Sequence, residues 1–234
     1  MHSPDDAITE GPRPAVAAPT RGALALGLVG ALGEALLAQL VSGADFSHVH
    51  VGVTSSAGLV ASRFRPWKVG EGVILADDAF VAVAGEETPV AGSPIARYGQ
   101  AQLLDAARIA RGCGVSRLTV IAPLAALKQT DAAARALDPQ TGLALRELGF
   151  ERVLIVWPTE ADAAAARGLR GMVGTIGRML PDALLPGHAR ELSARSAALA
   201  ITQASRTAPS GFTRLGAREL YRILDTPRPE RRAD

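Results

Sequence analysis

The heptapeptide Gly27-Leu28-Val29-Gly30-Ala31-Leu32-Gly33 constrains this chain more than any other segment. It stands between an apolar stretch, Gly22 to Leu26, that predicts a buried strand and a stretch, Glu34 to Val41, that predicts a helix. A second strand is expected straight afterwards, over His48 to Thr54. Glycines at a strand-to-helix turn remove Cβ atoms where backbone must approach closely, and they open the first helical N–H groups to an anion. Strand, glycine turn, helix and strand in that order predict a parallel sheet with a pyrophosphate site at its first turn. Gly27, Leu28, Val29, Gly30, Ala31, Leu32 and Gly33 are thus the expected contacts of a dinucleotide.

The alternation continues along the chain. Short apolar runs predict strands at Val73–Leu75, Ala79–Ala84, Leu118–Ala122 and Val153–Trp157. Helical spacing is expected over Ile95–Arg111 and over Asp131–Leu148, the latter broken or kinked at Pro139. Residues Ser55 to Gly72, with Arg63, Arg65, Pro66 and Trp67, predict a loop or small hairpin. Continuous apolar strands separated by helices are the pattern of a sheet buried on both faces. The predicted fold is α/β, a doubly wound, mostly parallel, Rossmann-like sheet with a mainly helical C-terminal extension.

That extension is expected to hold helices at Ala161–Leu180, Ala189–Ala204 and Ala217–Leu224, with one short strand at Phe212–Leu215. The domain reading is a disordered leader over 1–20, a dinucleotide-binding core over 21–160, a helical part packed on it over 161–225, and a disordered tail over 226–234. Gly168, Gly171, Gly174 and Gly177 recur every third residue. They fit either a small-residue stripe for close helix packing, as across a homodimer, or a broken helix, since an interior glycine costs about 1 kcal/mol relative to alanine.

Composition excludes several function classes. An apolar fraction of 48% in 234 residues supports a large core, and aromatics at 4% make that core rich in Ala, Leu and Val. The net charge of +2 argues neither for nor against nucleic acid, but with no basic run except Arg228 to Arg232 at the end no nucleic-acid partner is expected. The single cysteine, Cys113, allows no intramolecular disulfide and fits a reducing compartment. His48 and His50 alternate on one strand face, but the four histidines show no ligand spacing, so no metal is expected. Glu34 and Gln39 interrupt the apolar run Ala23 to Val41, which fits neither a signal peptide nor a membrane span. A cytoplasmic protein without a membrane partner is expected.

Several segments in order resemble an atypical short-chain dehydrogenase/reductase of the Tat-interacting-protein-like and NmrA-like branch, over Gly22 to Leu224. Gly27, Gly30 and Gly33 resemble the family's glycine-rich loop, and Ala79–Gly85 its strand and glycine beside the cofactor. Ala91-Gly92-Ser93 is similar to a short motif after that strand, and Ala106–Val120 to the helix and strand that lead to the catalytic serine. Leu145–Pro158 resembles the helix, turn and strand ending in the family's Arg-Pro, and Gly211–Leu220 its closing segment. The resemblance implies NADP or NAD as cofactor and adds Thr54, Ser55, Ala84, Gly85 and Ala122 to the expected binding residues.

The family's catalysis needs a tyrosine, a lysine four residues later to depress its pKa, and a serine to orient the carbonyl. Four residues after Tyr98 stands Gln102, and four after Tyr221 stands Asp225. The serine place falls on Ala122 or Pro123, the tyrosine place near Ala134 and the lysine place near Asp138, so no catalytic residue is assigned. In the loop, Leu28 and Val29 replace the family's small residue and hydroxyl, and Leu28 is expected to crowd a phosphate. Thr54, Ser55 and Ser56 stand where an acid would take a ribose 2′-OH, which favours the phosphorylated cofactor, with Arg63 or Arg65 as helper.

Three readings follow. One is a cofactor sensor or protein-interaction module without classical reductase activity. Another is an NADP-dependent oxidoreductase with a non-standard site around Lys128, Gln129, Thr130 and Asp131. The third is a structural relative that binds no cofactor.

Overall fold

The computed structural model describes residues 21–55, 62–83, 93–122, 139–158 and 192–225. Seven strands form one sheet, parallel throughout. They are β1 (Gly22–Leu26), β2 (His48–Val53), β3 (Phe64–Lys68), β4 (Asp78–Ala82), β5 (Arg117–Ile121), β6 (Arg152–Val156) and β7 (Gly211–Leu215). Their spatial order is β3-β2-β1-β4-β5-β6-β7. After β3 the chain crosses to the far side of β1, so the order reverses between β1 and β4. This is the doubly wound, Rossmann-like arrangement, and its switch point lies at the C-terminal ends of those two strands.

The strands are apolar on both faces because helices cover both. Ala23 and Ala25 of β1, Phe80 of β4 and Leu154 and Val156 of β6 face α1 (Gly30–Ser42), α4 (Ala194–Thr207) and α5 (Ala217–Asp225). Leu24 and Leu26, Ala79 and Val81, and Val153 and Ile155 face α2 (Leu103–Gly112) and α3 (Pro139–Glu147). Small residues on α4, among them Ala197, Ala200 and Ala204, let it pack close to α1. No helix among the described residues is long and apolar enough to cross a membrane.

Several local expectations need correction. The third strand is Phe64–Lys68, not Val73–Leu75; Val73 and Leu75 are 91% and 73% exposed. Proline at position 66 argues against a strand, but β3 is an edge strand, where a missing N–H is tolerated. The helix expected from Ile95 begins only at Leu103, after a 3₁₀ turn at Gln100–Gln102. The first helix starts at Gly30, not Glu34. Of the helix expected over Asp131–Leu148, the structure describes α3 from Pro139; the part before Pro139, and with it the expected break or kink, lies outside the described residues. The glycines at 168, 171, 174 and 177, the non-standard site around Lys128, the leader and the tail lie outside the described residues.

Candidate functional site

The turn from β1 into α1 is built in a way that only glycine permits. Gly27 has φ +70°, and a Cβ on it would lie 2.3 Å from the Ala82 carbonyl oxygen at the end of β4. Gly30 has φ +73°. A Cβ on Gly33 would lie 2.4 Å from the Leu28 carbonyl carbon, so the third glycine lets the first helical turn pack onto the loop behind it. The three glycines thus serve the turn, the left-handed backbone and the close packing. All three act at the switch point.

Inside the turn, the Val29 N–H donates to the Gly27 carbonyl at 2.8 Å. Val29 is the residue before α1 and makes no side-chain cap bond, and no acidic residue lies in the first turn. The other described helix starts vary, and the residue before α2 likewise makes no side-chain cap bond. Ser193 takes the Ser196 N–H within the first turn of α4 at 3.1 Å, whereas Gln102 and Glu219 take the N–H groups of residues ahead of α2 and α5, Gly99 at 3.0 Å and Gly216 at 2.9 Å. The amides of Gly30, Ala31 and Leu32 stand at the positive end of a 13-residue helix whose first turn holds no acidic residue.

Leu28 does not crowd this surface. Its side chain is 1% exposed and packs with Leu32, Leu36 and Ala25 in the core beneath α1. Val29 and Gly30 are half-buried and Ala31 is exposed, so the turn presents backbone to the crevice.

The remaining expected residues divide. Thr54 and Ser55 follow the end of β2, and Ala122 follows β5 with its N–H on the Val156 carbonyl at 2.9 Å. Ala84 and Gly85 lie outside the described residues. Thr54 is engaged by the chain itself: its N–H and its hydroxyl both donate to the Pro94 carbonyl, at 2.7 and 3.1 Å. Neither arginine expected as a helper is brought to Thr54. Arg63 donates to the Gly43 carbonyl at the C-terminal end of α1, at 2.6 Å, and Arg65 lies beside His50 in mid-sheet.

Lys68, at the C-terminal end of β3, is in register with Val53 and pairs with Glu71 on the surface. Sequence reasoning missed it because it missed β3. The Phe-Arg-Pro-Trp-Lys alternation was the available signal.

His48 and His50 share the sheet face opposite α1, with ring centroids 4.9 Å apart. Ser47 spends its hydroxyl proton on the Arg21 carbonyl at 3.2 Å, so its oxygen accepts from His48 Nδ1–H at 2.8 Å. Burial, then the charges of His48 and Arg65, push His50 down to about 4. Both rings belong to the sheet interior. The Arg65 guanidinium opposes a cation beside them, and no group of three His, Cys, Asp or Glu residues gathers anywhere among the described residues. Cys113 is buried, and burial raises its thiol pKa, which makes it a poor nucleophile.

No family model and no curated protein matches the chain. Among solved structures it is similar to a nucleoside-diphosphate-sugar epimerase from Staphylococcus aureus, at 13% identity and a TM-score of 0.47. That likeness covers 83% of this chain and 70% of the other.

Proposed function

We propose that this chain is an atypical relative of the short-chain dehydrogenases, of the Tat-interacting-protein-like or NmrA-like branch. In this reading it binds NAD or NADP at the Gly27–Gly33 turn and acts as a cofactor sensor or protein-interaction module. One observation carries it: the uncapped first turn of α1 stands on a turn at the switch point where Gly27, at positive φ, and Gly33 each leave no room for a Cβ. The pyrophosphate would rest on the amides of Gly30, Ala31 and Leu32, which fit an anion by charge. A bound nicotinamide would supply or take a hydride. The chain would hold and orient it rather than complete the reaction, because Ala122 offers no hydroxyl and no lysine follows either tyrosine at four residues.

Thermal melts with NADPH, with NADH and with neither test the reading. At 100 times Kd a cofactor stabilises the fold by about 2.7 kcal/mol, a clear rise in melting temperature. Binding without NADPH oxidation across a panel of carbonyl compounds supports the sensor, and turnover supports the oxidoreductase. No shift with either cofactor supports the third reading, which the Thr54 bonds to Pro94 favour.

A further inference from the structure

Ser93–Tyr98, downstream of β4, lies over the end of β2. Amides and carbonyls alternate in direction along β2; the Val49 N–H bonds across to Arg63, toward β3. Those of Gly52 and Thr54 point the other way, toward β1. The β1–β2 register ends at Ala25 and Val51, because the chain turns away at Gly27. Ser93–Tyr98 fills the place so left. Ile95 bridges Val53 in antiparallel sense, the Ala96 N–H donates to the Gly52 carbonyl at 3.0 Å, and the Thr54 N–H donates to the Pro94 carbonyl at 2.7 Å.

Both cores hold this segment. Ile95 packs on the cluster beneath α1, while Ala96 and Tyr98 pack on the cluster beneath α2. The Tyr98 ring lies 3.4 Å from where a Cβ of Gly27 would be. The segment thus continues the line of β1 above the glycine turn. A nucleoside ribose reaches for that place when its pyrophosphate lies on α1 and its hydroxyls face the end of β2.

We propose that Ser93–Tyr98 is an autoinhibitory strap, and that a dinucleotide gains its nucleoside subsite by displacing it. The inference rests on the dinucleotide reading given above. It also adds a route for the signal, since the strap runs through the 3₁₀ turn into α2 on the opposite face of the sheet. Displacement frees the Thr54 hydroxyl for a ribose or its phosphate and releases Tyr98 from Gly27. Because only the strap-open fraction of the protein is competent, the observed Kd exceeds the intrinsic one by the inverse of that fraction.

Two measurements test this together: NADPH binding by calorimetry to the wild type and to Ile95→Ala, and amide hydrogen exchange of the wild type with and without NADPH. The substitution removes strap packing and leaves the glycine turn untouched. At least fivefold tighter binding by Ile95→Ala, or binding by the variant alone, is the expected result. NADPH should also speed exchange at Thr54 and Ala96 at least tenfold while β1 amides stay slow. Equal affinity, or undiminished protection of Thr54 and Ala96 in the bound wild type, overturns the strap and leaves the dinucleotide site standing. Failure of both proteins to bind overturns both proposals. If Ile95→Ala does not fold, exchange in the wild type decides alone.

Discussion

The two ends of the sheet are built on opposite principles. At the N-terminal ends of the strands, charges meet and satisfy one another. Asp78, 3% exposed at the start of β4, takes Arg21 and Arg117, the latter donating at 3.1 Å. Asp77 accepts the Gly22 N–H at 2.8 Å, and Arg152 reaches the Ser205 carbonyl at 2.8 Å. An Arg206–Asp45 pair ties α4 to the loop before β2. Among the described residues the C-terminal ends show no such clamp around the glycine turn; they present backbone amides on a helix whose cap residue makes no side-chain bond. One end spends its polar groups on holding the fold, and the other leaves the first-turn amides of α1 uncapped.

Substitutions should separate the two ends. The largest expected effect is at the turn. Gly27→Ala places a Cβ against the Ala82 carbonyl in a left-handed backbone, and a loss of about 3 kcal/mol is expected in denaturant titration. Gly70→Ala is the control, since Gly70 shares the positive φ with nothing within 4 Å, and should lose only about 1 kcal/mol. A similar loss at both positions would mean that the close approach at Gly27 is unimportant.

Asp78→Ala should come next, at about 2 kcal/mol. It leaves Arg21 and Arg117 facing each other without their shared carboxylate, and part of the penalty is relieved because both guanidinium groups reach water. Ligand affinity should not change. A large affinity loss at unchanged fold would break the division between the two ends.

Val29→Asp sharpens the contrast from the other side. Val29 already has the extended backbone of a cap residue, so a carboxylate there should stabilise the protein by about 1 kcal/mol while weakening dinucleotide binding more than tenfold. Unaltered binding would show that the α1 amides are not the phosphate contact.

The smallest effect belongs to mid-sheet. His50 has its pKa lowered from 6.5 to about 4, so between those values the unfolded chain binds the proton more readily. The neutral ring's contribution is therefore present above pH 6.5 and lost as the pH falls toward 4. Solvent screening of the half-buried ring reduces that loss to about 1 kcal/mol. Melting temperatures from pH 7 to pH 4 should fall less steeply in His50→Gln than in the wild type.

The glycine turn, the buried strands and the sheet class are legible in the sequence because each depends on local pattern. The glycine spacing marks the turn, and unbroken apolar runs such as Ala23–Leu26 and Val153–Val156 can only be buried on both faces. The clamp was not legible. Arg21 and Arg117 reach Asp78 from 57 and 39 residues away, and no local pattern joins them. β3 was hidden by Pro66, whose tolerance depends on an edge position that only the sheet order reveals. The spacing from Ile95 to Arg111 is helical, yet Ile95 and Ala96 instead pair with the open edge of β2, a partner that no local pattern reveals. Leu28 was misjudged by size alone; its direction, into the core, is set by the turn.

The most direct test is an NMR titration of the isotope-labelled protein with NADPH, followed at the backbone amides of both ends. Saturable shifts at Gly30, Ala31 and Leu32, with Asp78, Arg117 and the side-chain-capped Ser196 amide unmoved, are the expected result. Shifts confined to the N-terminal ends of the strands, or none at the α1 amides at millimolar NADPH, would contradict the account.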